Sequence, residues 1–310
     1  MELAFTKCHG SGNDFALVDA RDPTLAAIDW APVARLVCDR AGPVGADGIL
    51  LLTAGDDDHA FGMRVINADG SEPESCLNGL RCIGRAGLDA LVLDSARVKL
   101  KTSTAQVARQ PELAPGVVTI QTIAGPASAD PADVGLHVDA AVIDAAIPGL
   151  PNPRAFTALA MPNPHLITFV DKIDVAELTA LGEWCEGRPA LLADRANVSF
   201  CETRPDGLFV HTFERGVGLT NACGTAMGGA THAAGLTGRV PFGQEITVHN
   251  PGGRVRIMAS GPGGGDRVTI AGNATFEYDA VVEIDTDKIG PLRITRDRGG
   301  EVAAWASVTR

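Results

Sequence analysis

The chain has 310 residues, 45% of them hydrophobic and 21% charged, a balance that excludes disordered and fibrous classes and makes two domains of ordinary size the first expectation. Acidic residues outnumber Lys and Arg by 38 to 26 for a formal charge of −12, and aromatics reach only 5%, which argues against nucleic-acid backbones, anionic lipid and base-stacking platforms as partners. No run approaches the ~20 apolar residues of a membrane span, the start Met1-Glu2-Leu3-Ala4 shows no secretory pattern, and seven cysteines are an odd number for a disulfide framework; a cytoplasmic protein with reduced thiols is expected.

Residues 1–20 read as a strand, a Gly-rich turn (Gly10-Ser11-Gly12-Asn13-Asp14) and a second strand from Phe15. Val33, Leu36 and Val37 recur at helical spacing within 30–40, and the apolar runs 48–53 and 61–66 have strand length. A helix is predicted over 76–91, with Leu80, Ile83, Gly87 and Leu91 at steps of three and four and Ser75 as its N-cap. Its first turn, Cys76-Leu77-Asn78-Gly79, holds a thiol and a glycine where acids and good helix formers are usual.

Residues 124–135 and 148–155 are rich in Ala, Pro, Asp and Gly, a shift expected at a domain crossing. Beyond them the design recurs: strands over 166–170, 197–201 and 208–213 lead to a helix over 223–236, again opened by a thiol and a glycine in Ala222-Cys223-Gly224-Thr225. Strands over 245–249, 254–259 and 267–271 follow. The expected organisation is a first domain over 1–123, a second over 124–273, and a segment over 274–310 that returns to the first domain and extends it.

A thiol at a helix N-terminus lies beside unpaired backbone N–H groups and the positive end of the helix dipole, which favour the thiolate. Two such thiols, Cys76 and Cys223, on opposite sides of one bound carbon can take a proton from one face and return another to the opposite face. The same amides suit a carboxylate and the charge that develops as the proton leaves. Cys8, Cys38, Cys82, Cys185 and Cys201 are expected to be packing residues.

Six runs then carry a family resemblance: Phe5-Thr6-Lys7-Cys8-His9-Gly10-Ser11-Gly12-Asn13-Asp14-Phe15, Asn67-Ala68-Asp69-Gly70-Ser71, Ser75-Cys76-Leu77-Asn78-Gly79, Asn163-Pro164-His165, Asn197-Val198, and Glu214-Arg215-Gly216-Val217-Gly218 with Ala222-Cys223-Gly224-Thr225. In this order and spacing, over about residues 1–275, the chain resembles diaminopimelate epimerase. The resemblance implies a mixed α/β fold of two similar domains, each a curved, mostly antiparallel sheet around a central helix, with the active site in the cleft between them. It also implies an isomerase, commonly a homodimer, that interconverts LL- and meso-2,6-diaminopimelate on the way to lysine and cell-wall precursors, with no cofactor and no metal.

Carried over, Cys76 and Cys223 match the acid–base pair, and Asn78, Gly224 and Thr225 match the cradle of the reacting carboxylate. Asn67, Asn163, Asn197, Glu214 and Arg215 match contacts to the distal amino-acid group, and Asn13 a contact nearer the reaction. An Arg fork grips a carboxylate and a Glu pairs with an ammonium, as a zwitterionic end requires. His165 has two readings, proton transfer or a backbone hydrogen bond; His9 and His232 are expected to be structural. Leu77, Leu219 and Ala226 depart from the family pattern and leave open a racemase of another amino acid, or a paralogue that binds without turnover.

Overall fold

The computed structural model describes residues 1–74, 76–161, 163–262 and 267–309. They form two compact units, one of residues 1–122 with 271–310 and one of residues 123–270. Ser75, expected as a helix cap, lies outside the described residues.

The first unit runs β1 (Glu2–Gly10), β2 (Asn13–Asp19), α1 (Pro23–Ala26), α2 (Trp30–Val37), β3 (Gly48–Ala54), β4 (Phe61–Asn67), α3 (Leu77–Leu91), β5 (Ser95–Lys99), β6 (Thr104–Gln110) and β7 (Thr119–Ala124). β1 and β2 form an antiparallel hairpin, β2 runs parallel to β3, β3 antiparallel to β4, β4 parallel to β5 and β5 antiparallel to β6. The step from β2 to β3 needs a crossover because its strands are parallel, and α2 supplies it.

Both faces of this sheet are covered, which is why β3 reads Gly-Ile-Leu-Leu-Leu without polar alternation. Leu50 and Leu52 turn toward one core with Leu80, Ile83 and Leu88 of α3; Ile49 and Leu51 turn toward another with Trp30, Val33 and Val37 of α2. α3 lies against β1 through β6, so it is the central helix of the unit.

The second unit runs α4 (Pro131–Val134), β8 (Thr157–Ala160), β9 (Pro164–Phe169), α5 (Val175–Glu186), β10 (Asn197–Arg204), β11 (Gly207–Glu214), β12 (Gly218–Thr220), α6 (Gly224–Leu236), β13 (Ile246–Asn250), β14 (Gly253–Ala259) and β15 (Val268–Asn273), whose last residues pass into the first unit. β8 and β9 are antiparallel, β9 and β10 parallel, β10 and β11 antiparallel, β11 and β13 parallel, β13 and β14 antiparallel. This is the order of pairings found from β1 to β6, with α5 in the place of α2 and α6 in the place of α3. α6 is mostly Gly and Ala and is buried on nearly all sides, as a helix inside a sheet must be.

After β15 the chain adds β16 (Thr275–Asp285), β17 (Lys288–Ile289), β18 (Arg293–Asp297) and α7 (Gly299–Ala306) to the first unit. β16 pairs with β1 on one edge and with β18 on the other. The sequence pattern missed β5, β6, β7, β8, α5, β16, β18 and α7, and the short α1, α4, β12 and β17.

Candidate active site

In the first unit, the start of β2, the start of β3, the end of β4 and the start of α3 gather the candidate residues. Cys76 is itself the N-cap of α3: its Sγ accepts the Gly79 N–H at 3.5 Å and points its own hydrogen at Asn13 Oδ1, 3.6 Å away. Asn78 Nδ2 donates to the same Asn13 oxygen at 3.4 Å. Asn13 is anchored from behind by Asp47, whose Oδ2 accepts from Asn13 Nδ2 at 2.6 Å and from the Asp14 N–H at 3.1 Å. Asn67 lies in register with Gly48, next to Asp47, and its Nδ2 donates to Ser71 Oγ at 3.0 Å. Cys76, Asn78 and Asn13 are thus in mutual contact, while Asn67 is held within its own turn.

Sequence reasoning missed the support beneath them. Arg81 is fully buried; its Nη2 donates to Asn78 Oδ1 and Ser11 Oγ, each at 3.0 Å, and its Nε to the Asn273 carbonyl at 3.0 Å. Burial pulls its pKa down to about 10, opposed by the thiols of Cys82 and Cys76. Gly10 passes so near this helix end that a Cβ there would stand 2.7 Å from the Asn78 carbonyl oxygen. Leu77 packs against the core around α3.

In the second unit the corresponding strand ends carry the other candidates. Asn163 precedes β9, Asn197 opens β10, Glu214 closes β11 and Cys223 is the N-cap of α6. Asn197 Oδ1 accepts the Arg215 N–H at 2.9 Å, and its buried Nδ2 has no hydrogen-bond partner among the described residues. His165 is fully buried; burial, with Arg215 beside it, lowers its pKa to about 3. The neutral ring donates from Nε2 to Asn163 Oδ1 at 3.1 Å and leaves Nδ1 unpaired among the described residues. Arg215 Nη1 donates to the Asp194 carbonyl at 2.8 Å.

Cys223 is 7% exposed; Thr225 Oγ1 stands 3.4 Å from its Sγ and the Glu214 carboxylate is within hydrogen-bond reach. The expectation of a lowered thiol pKa fails for Cys223. Burial and then the Glu214 charge push it up, outweighing Thr225 and the Ala226 amide, which favour the thiolate. Glu214 is likewise pushed up by burial, opposed by Cys223 and Arg215. Cys223 therefore rests protonated, with the Glu214 carboxylate beside it. Leu219 is 43% exposed, on the strand that pairs with β11. The remaining cysteines are buried, Cys8 against Cys82.

The family model for diaminopimelate epimerase matches residues 5–118 and 157–276, across both strand frames. The chain belongs to the diaminopimelate epimerase family. A diaminopimelate epimerase of Clostridium acetobutylicum is 35% identical over 96% of this chain and 91% of its own length, and one of Lactiplantibacillus plantarum is 38% identical over 98% and 97%. Two solved structures share the fold at low identity. A PhzF-family phenazine biosynthesis protein of Bacillus anthracis has a TM-score of 0.67 at 15% identity, covering 92% of this chain and 100% of that one. A probable proline racemase of Agrobacterium radiobacter K84 has 0.60 at 14%, covering 91% and 93%. Within the diaminopimelate epimerase family, then, this member places each candidate thiol at the same point of two repeated frames, and no helix among its described residues is long and apolar enough to cross a membrane.

Proposed function

We propose that this isomerase interconverts LL- and meso-2,6-diaminopimelate by proton transfer between the substrate's α-carbon and two thiols, Cys76 and Cys223. The observation that carries the reading is the duplicated placement: each thiol belongs to the N-cap residue of the helix inside its own sheet, at the strand ends where the polar candidates gather. One thiolate takes the α-hydrogen as a proton, so the C–H bond breaks and an S–H bond forms. The electron pair passes to the α-carbon and its carboxylate, and the opposite thiol delivers its proton to the other face, leaving the inverted centre. The reading requires both sulfurs to reach the same α-carbon.

Donors that meet charge as it develops lower the barrier more than donors that bind the ground state. Asn78, Gly224 and Thr225, at the two helix starts, suit the reacting carboxylate. Asn163, Asn197 and Arg215 suit the distal carboxylate, with the unpaired Asn197 Nδ2 as a ready donor; Glu214 suits an ammonium, and Asn67 and Asn13 complete the set. Action in the cytoplasm as a homodimer, in lysine and cell-wall precursor synthesis and without cofactor, belongs to the same reading and rests on the family.

The test is incubation of purified protein with diaminopimelate in deuterated water without added cofactor. Deuterium entering the α-position, and loss of epimerisation by at least about a thousandfold in Cys76→Ala and in Cys223→Ala, are expected. Inversion confined to another amino acid rejects the substrate, and turnover that survives both substitutions rejects the thiols.

A further inference from the structure

The matched family span ends at residue 276, and the chain beyond it builds onto the frame of Cys76. β18 pairs with β16, and Arg298 clamps Asp279 at 2.9 Å. α7 then turns back over the sheet. Its Glu301 accepts from Arg85 of α3 at 2.9 Å and from the Phe276 N–H at 3.2 Å, while Arg85 also donates to the Ala274 carbonyl at 2.7 Å. Of the residues of α7 only Trp305 is buried, and it lies against His9, with ring centroids 5.6 Å apart.

His9 is the last side chain before the hairpin turn that presents Asn13. Gly10 and Asn13 face each other across β1 and β2, joined by Ser11 and Gly12, with φ of 55° and 81°. Two successive left-handed residues match the twist of the hairpin, but Ser11, which has a Cβ, is strained in that conformation and needs surrounding contacts to hold it. Arg81 supplies one by donating to Ser11 Oγ, and the others gather around His9. Its Nδ1 accepts from the Gly12 N–H at 3.3 Å and from Asn273 Nδ2 at 3.2 Å, and Asn273 Oδ1 accepts the Ser11 N–H at 2.7 Å. Burial lowers the His9 pKa to about 4, so the neutral ring keeps this acceptor.

We propose that Trp305 is a positioning residue for the reaction: packed on His9, it fixes the two-residue turn that holds Asn13 against the Cys76 thiol. The C-terminal helix is then a working part of the Cys76 half-site. The inference rests on Cys76 as a proton-transfer group, and its test separates the two.

In the full chain, Trp305→Ala is expected to lower kcat by about tenfold or more with KM within about twofold, because the distal contacts of the second unit are untouched. Exchange of the Ser11 and Gly12 amides is expected to quicken by about tenfold or more, and Trp305→Phe to restore most of both properties. In a cycle with His9→Gln the double variant is expected to be no slower than the slower single variant, since both act through one turn. If Trp305→Ala does not fold, Trp305→Leu, which keeps bulk without a ring face, carries the same expectations. A folded variant with unchanged kcat and unchanged exchange, or effects of the two substitutions that multiply, overturns the proposal. Loosened amides together with full activity in Cys76→Ala refutes the thiol role instead and leaves the turn contact standing.

Discussion

A guanidinium sealed from water one turn inside α3 is the least expected side chain of the first half-site. Arg81 donates from Nε and Nη2 to Asn273, Ser11 and Asn78, leaves its buried Nη1 unpaired among the described residues, and sets a positive charge beneath the Cys76 thiol. Charge fixed there favours the thiolate without reorganisation when it forms. Arg81→Lys keeps the charge and loses the fork, so kcat is expected to fall by about ten- to a hundredfold. In Arg81→Met the pH midpoint for alkylation of Cys76 is expected to rise; an unchanged midpoint contradicts the electrostatic role. Cys76, Asn78 and Arg81 were all visible in the sequence, but only the first two drew attention. The signal was the i, i+3 spacing of Asn78 and Arg81, which puts them on one helix face. Cys223 shows the opposite limit: the helix-end argument named the residue, but only the fold reveals the burial and the Glu214 charge that raise its pKa.

Among the elements, the β1–β2 hairpin and α3 meet at Gly10. A Cβ there would stand 2.7 Å from the Asn78 carbonyl and 2.9 Å from the Arg81 guanidinium, so Gly10→Ala must move the helix start, the hairpin, or both. Stability is expected to fall by about 1–3 kcal/mol in denaturant titration and kcat by about tenfold or more, because backbone cannot yield as a flexible side-chain tip can. Near-normal kcat in Gly10→Ala contradicts the idea that this contact sets the half-site. The strands flanking the site were legible because β3 is buried on both faces and reads as an unbroken apolar run. β18 was not, because every one of its residues is exposed and no periodicity can mark it. α5 was missed although Asp174 caps the Ala176 and Glu177 amides, a start signal that its weak amphipathicity obscured.

Across the whole molecule, two units share one order of strand pairings, with the thiol at the same helix start in each. Residue identity hides this repeat; the positions of Cys76 and Cys223 mark it, because chemistry fixes them more tightly than packing fixes their neighbours. Buried titratable groups in both units also set a pH window. His9 and His165, at about 4 and about 3, lie below their ordinary value, so the unfolded chain takes up protons first as pH falls below 6.5. Each contribution to stability is then lost, by about 2 kcal/mol at pH 5. Cys38 and Cys185, both pushed up to about 12 by burial, act on the other side: above pH 9 the unfolded chain ionises first, costing about 1.4 kcal/mol each at pH 10. Denaturant titrations at pH 5, 7.5 and 10 are expected to show the middle value highest and the acid loss reduced in His9→Asn. Stability that rises from pH 7.5 to 10 contradicts the assignment.

Transfer between two thiols is tested most directly by following deuterium at the earliest turnover of a single stereoisomer in deuterated water. The account predicts that the inverted product carries deuterium at its α-carbon while the recovered starting isomer still carries protium. Deuterium appearing equally fast in the starting isomer, or product that keeps the original hydrogen, contradicts it.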